Sequence, residues 1–128
     1  MKDEPYHYVA VENFVPEGYE PTSALVRVRP LSGQGVDQNV RVECDRYHMR
    51  YDFPLGTVFI IKGKLTDREG GPEFIYSYFG WPYITISRKD AEKLIFKKQI
   101  GFFPTSEFND FRELVSFAIK RFQRGQEV

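Results

Sequence analysis

"TVFIIKGKLT", Thr57 to Thr66, decides how the rest of the chain is read. Its first half, Val58 to Ile61, is apolar at every position, and its second half alternates, with Lys62 and Lys64 on one parity. A continuous apolar run marks a strand covered on both faces, whereas alternation marks one with a solvated face. The segment is therefore expected to be central in a sheet at one end and exposed at the other. "DREGGP" (Asp67–Pro72) follows as a turn, with Gly70 and Gly71 expected to supply positive φ. Beyond it lies "EFIYSYFGWPYITIS" (Glu73–Ser87), rich in rings and β-branched side chains and almost free of charge. It reads as two short strands joined at Gly80-Trp81-Pro82.

Upstream, "YHYVAV" (Tyr6–Val11) has the composition of a first strand. "ALVRVRPL" (Ala24–Leu31) and "NVRVEC" (Asn39–Cys44) both alternate. Their pattern sends Val26, Val28, Val40, Val42 and Cys44 inward and Arg27, Arg29, Arg41 and Glu43 outward. "DRYHMRYDFPLG" (Asp45–Gly56) reads as one or two helical turns capped by Asp45 and ending before Pro54. Downstream, Ser87 and Asp90 form an S-x-x-D cap ahead of "AEKLIFKK", and Gly101 stops that helix. A last helix is expected after Thr105 or Ser106, with Phe108, Phe111, Val115, Ala118 and Phe122 on one apolar stripe.

The 128 residues fit one domain, strand-rich over 1–86 and helical over 87–128. These elements predict an α+β fold. The architecture expected is a small antiparallel β-barrel or strongly curled sheet, OB-like, of about five or six strands with two C-terminal helices after it. A chain of this size buries enough surface to fold without a disulfide or metal.

Composition narrows the function. With 41% hydrophobic and 16% aromatic residues the chain lacks the signature of disorder. Its net charge is zero and its pI about 6.7, whereas a dedicated duplex-binding domain usually exceeds about 9. The lone Cys44 has no partner for an internal bridge, which suits a reducing compartment. The start "MKDEPYHY" is acidic and broken by Pro5, unlike a secretory leader. The longest clean apolar run, "VFII", is far short of the ~20 residues a membrane helix needs. A cytoplasmic protein with no membrane association is expected.

No catalytic set stands out. Cys44 and His48 stand at i, i+4, but nothing marks an oxyanion hole beside them. The chain's Cys and His residues are too few for a four-ligand zinc site, and the carboxylates fit no calcium-loop spacing. "GQG" (33–35) and "REGG" (68–71) lack the context in which glycines cradle phosphate. Neither a metal nor a cofactor is expected.

Binding chemistry is better represented. In an extended strand Phe74, Tyr76 and Tyr78 share one face and Ile75, Ser77 and Phe79 the other. Tyr76, Tyr78 and Trp81 form a candidate stacking platform, since a ring in a Gly-Trp-Pro turn is harder to bury. Arg27, Arg29, Arg41, Lys62 and Lys64 share the polar parity of their strands and would form a positive stripe if those strands were neighbours. Rings plus cations are what a single-strand binder combines. The plainer account buries the tyrosine rings and leaves a solvated sheet face. "RKDAEKLIFKK" (Arg88–Lys98) and "KRFQR" (Lys120–Arg124) add basic character to the helical third.

The function expected from these residues is a small non-enzymatic binding module whose ligand is single-stranded nucleic acid or a protein partner. The alternative is an accessory or homo-oligomeric protein with the aromatic stretch and last helix as a protein interface. A small enzyme using Glu43, Asp45 and His48 comes third.

Overall fold

A computed structural model describes residues 6–18, 26–44, 46–78, 80–104, 106, 112–113 and 116. The described strands are β1 (His7–Phe14), β2 (Arg27–Pro30), β3 (Arg41–Glu43), β4 (Val58–Thr66), β5 (Phe74–Tyr76) and β6 (Ile84–Ile86). The helices with printed bounds are α1 (Arg46–Tyr51) and α2 (Arg88–Phe96). Of the expected last helix, Arg112, Glu113 and Ser116 are helical, while all five residues of its Phe108–Phe122 stripe, like the Asp45 cap, lie outside the described residues.

β4 is the axis of the sheet, as its apolar run predicts. On one edge it pairs antiparallel with β1, from Val58 opposite Glu12 to Gly63 opposite His7. On the other edge it pairs antiparallel with β5 at Lys64–Thr66 and with β6 at Val58–Ile60. β2 flanks β1 antiparallel, and β3 flanks β5 in parallel. The order is β2-β1-β4-β5-β3, with β6 beside β4.

This corrects the expected antiparallel barrel or curled OB-like sheet. The sheet is mixed and open, because β3 runs parallel to β5 and no ladder joins β3 to β2 among the described residues. Alternation reports which face a side chain takes, but not the direction of the neighbouring strand. α1 lies between β3 and β4, where the helical turns ahead of Pro54 are expected.

Both faces of the sheet are covered. Tyr8 and Ala10 of β1 and Val58 and Ile60 of β4 pack against Ala91, Leu94 and Ile95 of α2, with Leu31 and Ile100. On the opposite face Val9, Val11, Val28, Val42, Phe59, Ile61 and Ile75 pack with Met49 of α1. Each fully buried side chain of this size contributes about 1.5–3 kcal/mol before entropy is charged against it. α2 begins where the cap predicts, with Ser87 Oγ accepting from the Asp90 N–H at 3.1 Å.

The turn between β4 and β5 differs from expectation in one detail. Glu69 and Gly70, not Gly70 and Gly71, take positive φ, and the Gly71 N–H donates to the Arg68 carbonyl at 3.0 Å. Two successive positive φ values closed by that bond are the signature of a type I′ turn.

The aromatic stretch is an interrupted strand. Four residues separate Lys64 from Ile60 on β4, whereas eight separate their partners Tyr76 and Ile84. Four residues are therefore looped out between β5 and β6, and the loop carries Tyr78, Gly80, Trp81 and Pro82.

Candidate functional site

On β1 and β4 the even-numbered residues share one face, because Tyr8 opposes Lys62 and Ala10 opposes Ile60. α2 covers the Ile60 end of this face. At the other end stand Lys62 and Lys64, with Tyr76 of β5 directly opposite Lys64. Tyr6 adjoins the start of β1 and the looped-out Trp81 leans over from the far side. Their rings meet edge to face, with centroids 4.9 Å apart and planes at 80°. Tyr78 meets Trp81 at 5.9 Å. The Lys62 ammonium sits 5.8 Å from the Tyr6 centroid and 5.3 Å from that of Trp81. The Lys64 ammonium lies 5.0 Å from Tyr6. Such contacts stabilise a cation by about 0.5–1 kcal/mol when exposed and more when water is excluded.

Thus Lys62, Lys64, Tyr76, Tyr78 and Trp81, singled out from sequence, do lie on one region of the sheet. No carboxylate among the described residues pairs with Lys62 or Lys64. Tyr6 and Tyr78 are exposed and Trp81 and Tyr76 half-buried. Lys64 departs from its reading as an outward base, since only 9% of it is exposed. Gly80 has a role different from freeing the turn. A Cβ there would meet Tyr78 Cε2 at 2.7 Å, so glycine lets that ring lie against the backbone.

The arginines go elsewhere. β2 and β3 stand at opposite ends of the strand order, so the expected single stripe is split. Arg27, Arg29 and Arg41 line a separate concavity of about 330 Å³, joined by Arg50 of α1. Arg29 Nε donates to Glu12 Oε2 at 3.0 Å, and Arg88 also reaches that carboxylate. Glu43 likewise accepts from Arg41 and from Arg68, the latter at 2.6 and 2.8 Å. Arg68 also stacks over Phe74 at 4.6 Å.

Of the residues considered for catalysis, Asp45 lies outside the described residues and Glu43 is bound by Arg41 and Arg68. His48 Nδ1 lies 2.6 Å from Asp52 Oδ2 on the exposed side of α1. Cys44 is half-buried, and its Sγ lies 3.7 Å from Met49 Sδ. Among the described residues no group of three His, Cys, Asp or Glu is placed to hold a metal. His7, edge-on to Phe102 at 5.5 Å, has its pKa lowered by burial.

Sequence reasoning missed Tyr6 and Arg50. Tyr6 carries a signal, since it shares the parity of Tyr8 and so continues the same face. Arg50 carries none, because its helix docks on β2 only in the folded chain. The basic run of α2 borders a wider concavity of about 860 Å³ with Leu31 and Gly33, beside which Phe96 is 88% exposed.

None of the described helices is long and apolar enough to cross a membrane. The chain matches no family model, no curated protein and no solved structure.

Proposed function

We propose that this is a small non-enzymatic cytoplasmic module that binds single-stranded nucleic acid at the corner formed by Tyr6, Tyr78, Trp81, Lys62 and Lys64. The observation that carries the reading is the Lys62 ammonium 5.8 and 5.3 Å from the Tyr6 and Trp81 ring centroids, with Lys64 near Tyr6 and no described carboxylate in a pair with either. Rings offer π-faces that every base can stack on, each stack being worth about 1–3 kcal/mol. Ammonium groups among them place positive charge where the phosphates of a stacked strand run.

Trp81 is the chain's sole tryptophan, so its emission reports on the corner directly. Titration with a single-stranded oligonucleotide is expected to quench and shift that emission. Affinity should fall with salt at a log–log slope of about −0.7 if Lys62 meets one phosphate. Trp81→Ala should weaken binding by about 5- to 150-fold, the equivalent of one stack. No emission change at low salt, together with a mass that rises with concentration, would replace this reading with a protein interface.

A further inference from the structure

We infer that the cleft between β2 and β3 is a separate site for a phosphate-bearing anion. Arg27 and Arg29 enter it from β2, Arg41 from β3 and Arg50 from α1, with Gln38 and Asn39 at its rim. Among the described residues its lining contains no Asp or Glu. A concavity lined by charges of one sign focuses their field and concentrates the opposite ion. Its volume of about 330 Å³ suits a small ligand.

The guanidinium groups are held from behind. Arg29 and Arg41 are tied to Glu12 and Glu43, which stand outside the cleft lining, and Arg50 Nε donates to the Val26 carbonyl. Those bonds name one N–H of each group, and a guanidinium has five. A ligand entering the cleft therefore meets donors already ordered, which reduces the entropy lost on binding. The geometry favours phosphate over carboxylate. A planar carboxylate is satisfied by one guanidinium fork, whereas tetrahedral phosphate presents oxygens to forks from several directions. Here the lining arginines come from three elements, β2, β3 and α1.

The site needs nothing from the aromatic corner, so the two readings fail separately. The phosphate could be free or part of a strand backbone, and two probes distinguish them. Pyrophosphate and an abasic oligodeoxynucleotide, which has phosphates but no bases to stack, are titrated calorimetrically into the full chain at low ionic strength. At least one is expected to bind with 1:1 stoichiometry, about tenfold more weakly to Arg27→Gln and unchanged to Lys89→Gln, which removes an exposed charge of α2 outside both sites. Pyrophosphate binding assigns a free phosphate ligand, and binding of the abasic strand alone assigns a strand backbone. In the unmutated protein, arginine Nε–H NMR signals should shift for Arg27, Arg29, Arg41 and Arg50 and not for Arg68 or Arg88. Absence of saturable binding by both probes, or equal shifts across all arginines, overturns the proposal.

Discussion

Replacing Gln34 by leucine is expected to cost about 2–4 kcal/mol, because the Gln34 side chain does the work of a strand. Gln34 is fully buried, between Gly33 and Gly35, whose φ values of 88° and 81° turn the backbone so that the side chain reaches β1. Its Oε1 accepts from the Ala10 N–H at 2.8 Å, and its Nε2 donates to the carbonyls of Ala10 at 2.8 Å and Leu31 at 2.9 Å. Leucine conserves much of the volume but removes all of these bonds. The Ala10 carbonyl still accepts from the Leu31 N–H at 3.0 Å, so the groups left without their partner are the Ala10 N–H and the Leu31 carbonyl. Two such orphans cost about 1–3 kcal/mol each, and the better burial of leucine returns roughly 1–2 kcal/mol. Urea denaturation monitored by circular dichroism reads the difference, which is a large part of the ~5–15 kcal/mol typical of a domain.

A second substitution at the same position checks the assignment of donors. In Gln34→Glu one oxygen still accepts from Ala10, but the other faces two carbonyls and must be protonated to bond either. The folded-state pKa of that glutamate is then raised above the ordinary value of about 4.3. Its contribution is most favourable below the unfolded pKa and is lost as pH rises through the folded one. The deficit of Gln34→Glu relative to the wild type should therefore shrink on acidification. Gln34→Leu within about 0.5 kcal/mol of wild type, or a Gln34→Glu deficit that widens with acid, would refute the role of the amide.

Gly63→Ala should destabilise by about 1–3 kcal/mol in the same urea assay, less ~0.4–1 kcal/mol from a stiffer unfolded chain, because its Cβ would stand 2.9 Å from Ile75 Cγ2 and 3.2 Å from the Tyr76 carbonyl. Glu12→Gln should cost about 1–3 kcal/mol, since it strips the counter-charge from Arg29 and Arg88; the carboxylate is buried but both guanidiniums are about half exposed, so the figure for a fully buried pair is discounted. Burial lowers the His7 pKa, so its contribution is present above the unfolded value of about 6.5 and is lost as pH falls. Between about pH 7.5 and 5 the wild type should therefore lose more stability than His7→Gln, as read by paired urea midpoints.

Much of the fold was legible wherever a single strand sets the pattern. Val26, Val28 and Val42 are buried and Arg27 and Arg41 exposed, as alternation requires. Val58–Ile61 is buried on both faces, and α2 starts at its Ser87 cap. What sequence could not supply was adjacency. The stripe of Arg27, Arg29, Arg41, Lys62 and Lys64 needed β2, β4 and β3 to be neighbours. Instead β1 separates β2 from β4, and β5 separates β4 from β3. The parallel pairing of β3 with β5 was equally invisible, because residues of one parity share a face whichever way the next strand runs. Lys64 looked exposed by parity, yet Tyr6 lies over it, and that contact depends on the chain segment at the start of β1.

The same limit explains why "EFIYSYFGWPYITIS" read as two strands joined at Gly80-Trp81-Pro82 without showing how long the loop between them is. A bulge usually inserts one extra residue, and here four are inserted. Among the described residues the insertion leaves Ile61, Lys62 and Gly63 of β4 without a ladder partner on the β5–β6 side, while Ser77 stays tied to β3 through its N–H to the Glu43 carbonyl at 2.7 Å. Continuous pairing would have been the lower-energy course for a segment this rich in β-formers. Pro82 offers no N–H to a ladder, and Gly80 admits the Tyr78 ring against the backbone, so the residues at the break are suited to breaking. What the break accomplishes is to carry Trp81 out of the strand line and onto the Lys62 ammonium. The ladder bonds forgone are offset by ring packing, with Tyr6 and Tyr78 edge to face on Trp81 and Tyr83 edge to face on Phe59.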